Sequence, residues 1–266
     1  MSFLKALHRA ILRRPRHPLQ RKFSSNGYVL KRLGSSYGGW TFADNKDLHG
    51  SVIVAAGLGE DASFDVAFAA KYNARVIIVD PTPRSAAHFH EILAALGSPA
   101  SSGYVSGGKQ PISAYDLSQI NRDQLTLVEK ALWKHEGEMR FYTPANDAHV
   151  SHSLLFGQVG TSKSHHITVQ ATTIAGLLGE LAIEPCNIPL IKMDIEGAAF
   201  EVLETMFEDG IFPRQLLVEF DELHHLNSEN YARVTNAHER ITAAGYALIC
   251  SDGHSNVTYF RVEFDP

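Results

Sequence analysis

Four short apolar runs decide most of what this chain can fold into: SVIVAAG (51–57), RVIIVD (75–80), IPLIKMD (188–194) and RQLLVEF (214–220). Each is mostly β-branched or long aliphatic, with a glycine or an acid at or near its end, which is the pattern of a buried strand. Stretches with helical spacing follow them. GEDASFDVAFAAKY (59–72) carries Phe64, Val66, Ala67, Phe68 and Ala70, and its Glu60 and Asp61 suit a helix start, where negative charge meets the helix dipole. SAAHFHEILAAL (85–96) closes on Gly97, and GAAFEVLETMF (197–207) follows the third run. Such alternation implies parallel strands joined by right-handed crossovers. Polar strand ends then gather at the carboxyl edge of one sheet, where open α/β sheets bind ligands.

The remaining segments complete this reading. LTLVEKALW (125–133), MRFYTP (139–144) and HITVQA (166–171) read as strands, and TTIAGLLGEL (172–181) and residues 229–244 as helices. YALICS (246–251) and VTYFRVEF (257–264) read as a closing antiparallel pair. The Ser/Gly-rich stretch 97–124 reads as an insertion or lid.

At 266 residues the chain suits one large domain with an appendage. Apolar residues make up 44% and charged residues 20%, which excludes an intrinsically disordered chain. No apolar run reaches the ~20 residues of a membrane-spanning helix. Charge marks the appendage: residues 1–32 hold nine Lys/Arg and no acid, and the first acid is Asp44. We therefore assign 1–45 as a basic N-terminal arm and 46–266 as the folded domain. The acidic body has no footprint for nucleic acid. MSFLKALHRAILRR (1–14) reads as an amphipathic helix stopped by Pro15 and Pro18. It suits contact of residues 1–22 with a membrane surface, a transit peptide over 1–25, or a plain extension. None of the motifs lies there, so residues 1–22 are expected to be dispensable for the fold. Two cysteines, Cys186 and Cys250, build no disulfide framework and suit a reducing, cytoplasmic setting, or an organelle if 1–25 is a transit peptide.

Two constellations carry chemistry. In the first, Gly57 and Gly59 sit at a strand-to-helix turn, and Asp80 ends the next strand. Glycines let a ligand approach the backbone, and an acid at that position can accept both hydrogen bonds of a ribose diol. The pair fits an adenosine-containing cofactor. A dinucleotide loop would have G-x-G-x-x-G, but here Ala62 takes the third glycine's place. Glu60 and Asp61 would also repel a pyrophosphate, whereas they favour a sulfonium or an amino group. The loop thus favours S-adenosyl-L-methionine over a nicotinamide cofactor. In the second, Lys192, Asp194 and Glu196 end an apolar strand and would alternate onto one face. They form either an ion-pair cap or the edge of an active site.

The blocks GLGEDASFD, VDPTPRS, NDAHVSHSLL and IKMDIEGAAFEVL, in this order, resemble the FkbM-type family of S-adenosylmethionine-dependent methyltransferases. The resemblance spans roughly residues 50–260, and KMDIEG followed by an E-V-L helix is its most specific part. It departs at Ala199, where the family pattern has Glu. It implies a class I methyltransferase fold: a Rossmann-like, doubly wound, mostly parallel seven-stranded sheet with an antiparallel last strand. It also implies that Gly57, Gly59, Glu60 and Asp61 form the cofactor loop and that Asp80 takes the ribose hydroxyls. Lys130, Ala131 and Leu132 should lie near the adenine, and Asp194 and Glu196 at the methyl-transfer edge.

The implied reaction is O-methylation of a sugar, glycan or other small secondary metabolite. A hydroxyl acceptor calls for a general base, for which Asp194, Glu219, His149 and His152 are the choices. Lys192 can hold a carboxylate in register. The neighbouring histidines His88/His90, His165/His166 and His224/His225 do not chelate without further ligands, so no metal is expected. Two competing readings are a nicotinamide-dependent oxidoreductase and a non-catalytic methyltransferase-like binding module.

Overall fold

The computed structural model describes residues 17–19, 27–144 and 161–262. The 1–14 helix, His149 and His152 lie outside the described residues. Leu19 is fully buried, and His17 Nε2 lies 2.6 Å from the carbonyl oxygen of His254.

β1 (Leu30–Leu33) and β2 (Trp40–Ala43) form an antiparallel hairpin, with Leu30 opposite Ala43. This segment was assigned to the arm, yet Trp40, Phe42 and Ala43 are buried. The folded body therefore begins before residue 46. The hairpin is apolar on both faces: Leu33, Trp40 and Phe42 join one core and Leu30 and Ala43 another, while Lys31 and Arg32 are less buried than Trp40 and Phe42.

β3 (Val52–Ala56) leads through a glycine loop to α1 (Ser63–Tyr72), which stops at Asn73 in the left-handed region (φ +48°). The helix begins later than its spacing suggested, because Glu60 and Asp61 belong to the loop. Asp61 still serves the helix start by accepting the Ser63 N–H at 2.9 Å. β4 (Arg75–Val79) precedes α2 (Pro83–Ala94), which Thr82 caps and Pro83 opens.

LTLVEKALW is two strands rather than one. β5 (Leu125–Val128) joins the main sheet; β6 (Ala131–Leu132) joins a small sheet with β7 (Gly137–Pro144) and β8 (Thr161–Thr172), in the order β6–β8–β7. After α3 (Ile174–Glu180) come β9 (Leu190–Met193), α4 (Ala199–Glu208), β10 (Gln215–Glu219) and α5 (Ser228–Ala243). β11 (Tyr246–Ser251) and β12 (Asn256–Arg261) close the chain.

The main sheet has seven strands in the order β11–β12–β10–β9–β3–β4–β5. From β10 to β5 all neighbours are parallel, and β12 is antiparallel to both β10 and β11. Each face carries a core. One packs Ile174, Val202, Leu203 and Ile241 of α3, α4 and α5 against the sheet. The other packs Phe64, Phe68 and Ile92 of α1 and α2 with Trp40 and Phe42 of the hairpin. Buried Gln215 ties that hairpin to β10: its side chain accepts the Ala43 N–H and donates to the Ala43 carbonyl, both at 2.8 Å. The 97–124 stretch is anchored at its far end, where Tyr115, Leu117 and Ile120 are buried in the second core, while residues 97–107 are exposed. Among the described residues no helix is long and apolar enough to cross a membrane.

Candidate active site

The crossovers leave β3 in one direction and reach β9 from the other, so a crevice opens at the carboxyl ends of these two strands. There a cleft lies against the β3, β4 and β9 loops. Gly57, Gly59, Glu60, Asp61, Asp80, Ala131, Lys192, Asp194 and Glu196 all line it. The fold thus brings together the two constellations, about 135 residues apart in sequence, by placing β3 beside β9.

Close approach sets the glycine loop. Gly57 has φ +83°, and a β-carbon there would stand 1.8 Å from the carbonyl oxygen of Asp194. Its own carbonyl accepts the ammonium of Lys192 at 2.6 Å. Lys192 is only 3% exposed and lies over the Trp40 ring at 5.7 Å. Its first bond is therefore to the glycine loop; Asp194 stands 3.8 Å away.

Asp80 is engaged on both oxygens. Oδ2 accepts the N–H groups of Leu58 (2.9 Å) and Gly59 (3.0 Å), and Oδ1 accepts the N–H and hydroxyl of Thr82 (2.8 and 2.7 Å). Four bonds use the full acceptor capacity of a carboxylate. Asp80 thereby fixes the loop it was expected to serve.

Glu60 and Asp61 face the cleft but also hold its walls. Glu60 pairs with Lys109 at 2.7 Å, tying in the 97–124 stretch. Asp61 accepts from the Ser35 hydroxyl (2.6 Å), the Gly38 N–H (3.1 Å) and the Gln110 amide (3.2 Å).

At the β9 end the strand stops at Met193, so regular alternation does not reach Glu196. Glu196 (φ +45°) and Gly197 (φ +77°) turn left-handed instead. This turn still leaves Glu196 on the cleft. Burial, and then the neighbouring Glu219, push the Asp194 carboxyl well above its usual range, with Lys192 opposing. Burial also raises Glu219, but hydrogen bonds from His224, Asp194 and Ser255 outweigh it and bring the group down to about 2. The contact thus drives the two carboxyls in opposite directions, Asp194 up and Glu219 down. Asp221 is pushed up to about 8 by burial and by Glu196 and Glu219.

Sequence reasoning missed several residues. Tyr37 and Gly38, from the β1–β2 turn, line the cleft, as do Gly108 and Phe141. Burial, then Asp194, Glu196 and Glu219, hold the Tyr37 hydroxyl above its ordinary value, so it faces the acidic end. The Gly38–Gly39 pair in SSYGGW was the available signal, and it reads only as a turn. The general-base choices His149 and His152 lie outside the described residues.

Fold and site together define an α/β protein with a ligand cleft at the switch point of its sheet. The model of the methyltransferase FkbM domain matches residues 54–248, and the chain belongs to this family. No curated protein matches. Among solved structures the chain is similar to the SAH-bound methyltransferase PaMTH1 of Podospora anserina, with 10% identity and a TM-score of 0.43, over 80% of this chain and 72% of that one. It is also similar to the antibiotic-resistance methyltransferase Kmr, with 12% identity and a TM-score of 0.35, over 87% of this chain and 100% of that one.

Proposed function

We propose that the protein transfers a methyl group from S-adenosyl-L-methionine to a hydroxyl of a sugar, glycan or other small metabolite. The carrying observation is the cleft itself, which is open over glycine backbone and flanked by carboxylates at both ends. That donor set fits a ligand with a diol, an amino group and a sulfonium, and it opposes a pyrophosphate. The strand order, with β12 reversed, supports a class I methyltransferase architecture.

The cofactor would supply a methyl group on a positively charged sulfur. Gly57 and Gly59 would admit it to the loop. Asp80 would take the ribose by exchanging some of its four internal donors. Ala131 and Leu132 would form an apolar wall for the base. Lys192 fixes the loop through the Gly57 carbonyl. A positive charge nearby favours the ionised form of Asp194. Ionised, Asp194 can accept the acceptor's hydroxyl proton.

Calorimetric titration with S-adenosyl-L-methionine, its demethylated product and NAD tests the cofactor. Binding of the first two but not the third is expected; binding of NAD alone would overturn the reading. Mass spectrometry with labelled cofactor against fractionated glycans and small molecules then identifies the acceptor. Cofactor binding without transfer to any fraction would favour a binding module.

A further inference from the structure

Three groups that the histidine spacing gave no reason to join meet just past β10. Glu219 ends the strand, Asp221 opens the short turn Asp221–Leu223, and His224 closes it. One oxygen of each acid and one ring nitrogen of His224 all lie within 4.8 Å of one another. The Glu219 Oε1–His224 Nε2 separation is 3.3 Å. That hydrogen bond is long for a charge-assisted one, and the same Glu219 oxygen also accepts the Ser255 hydroxyl at 2.8 Å. Two ligands bonded to one ion at about 2.0–2.2 Å each stand close to this observed separation.

A second observation is independent of the clustering. Asp221 Oδ2 is sealed from solvent and has no hydrogen-bond partner among the described residues. A buried carboxylate oxygen without a donor is costly, and a cation satisfies it. The local charge points the same way, because Asp194 contacts Glu219 and Glu196 lies near Asp221.

We propose that Glu219, Asp221 and His224 bind a divalent first-row transition-metal ion just past β10, beside Asp194 and Glu196. Two carboxylates and one imidazole suit Mn²⁺ or Zn²⁺ better than a soft thiolate-seeking ion. Three protein ligands leave positions open for water or for an oxygen of a second molecule. Metal binding itself is independent of the methyltransferase reading. Only the further clause rests on it: an acceptor hydroxyl would take an open position and lose its proton more readily there.

The full-length protein, stripped with chelator and dialysed, is titrated calorimetrically with MnCl₂ and with ZnCl₂. One equivalent is expected to bind. His224→Ala and Asp221→Asn should each weaken binding by at least about tenfold. His224 is exposed, so its variant should remain folded whatever Asp221→Asn does. S-adenosyl-L-methionine binding, measured in parallel on the His224 variant, should be unchanged. Absence of saturable one-to-one binding by the wild type would overturn the site, as would wild-type affinity in both variants. One-to-one metal binding by a protein that binds no S-adenosyl-L-methionine would uphold the site and sink the methyltransferase reading instead.

Discussion

A β-carbon on Gly57 would collide with the Asp194 carbonyl in a backbone conformation that L side chains rarely adopt. Gly57→Ala should therefore move the loop away from β9, abolish measurable cofactor binding and lower the melting temperature. Unchanged calorimetric affinity would exclude the loop as the cofactor site. Asp80 acts at the same scale but through two routes. Asp80→Asn loses bonds to the loop N–H groups and to the proposed ribose, so affinity and stability should fall together. A loss of about 1.5–3 kcal/mol of binding is expected for a charged acceptor.

Asp65 gives the residue-scale prediction that depends on pH. It lies fully buried in the first turn of α1, and Oδ1 has no hydrogen-bond partner. Burial pushes its carboxyl up to about 6 from 3.8, against the pull of Lys192. The folded state thus holds the proton more tightly than the unfolded chain. Its contribution is complete below about pH 4 and is lost as the pH rises to about 6, a change of about 3 kcal/mol. In urea unfolding at pH 4 and pH 7, Asp65→Asn should gain stability relative to wild type at the higher pH. Equal differences at both pH values would show that Asp65 ionises freely.

At the scale of elements, the β1–β2 hairpin behaves as a wall of the site. Trp40 backs Lys192, Ser35 and Gly38 hold Asp61, and Tyr37 faces the acidic end of the cleft. Gln215 fastens this wall from β10. Replacing it with Ala leaves the Ala43 N–H and carbonyl buried without partners, which should cost about 1–3 kcal/mol. Trp40→Ala removes a large buried ring and should cost about 3–5 kcal/mol. Denaturant unfolding measures both. If Gln215→Ala unfolds like wild type, the hairpin is held by packing alone.

At the scale of the whole molecule, the N-terminal segment is not uniformly an appendage. Leu19 is fully buried against the core that α3, α4 and α5 cover. Leu19→Ala should lower stability by about 2–5 kcal/mol. Deleting residues 1–22 should lower it at least as much, contrary to the expectation drawn from charge and motif position. A truncated protein melting like the full chain would show that the Leu19 contact contributes nothing.

Strand and helix types were legible because period-2 and period-3.6 patterns are local, and the four apolar runs stand in the central sheet. Gly57, Gly59, Asp80, Asp194 and Glu196 were legible because strand ends in such a sheet share one edge. The break at Glu129–Lys130 was not, because both halves of LTLVEKALW have strand propensity and only pairing partners separate them. The hairpin was read as arm because its basic residues dominate the composition, while burial of Trp40 and Phe42 depends on contacts with distant segments. His224 looked like one of a surface pair. Glu219 was singled out from sequence but Asp221 was not, and the approach of both to His224 depends on a short turn at the end of β10. Sequence by itself determined which elements form and which edge carries the chemistry, since both follow from local periodicity. Tertiary structure decided which charges meet, because Coulomb and hydrogen-bond energies depend on distances between segments that local periodicity does not relate.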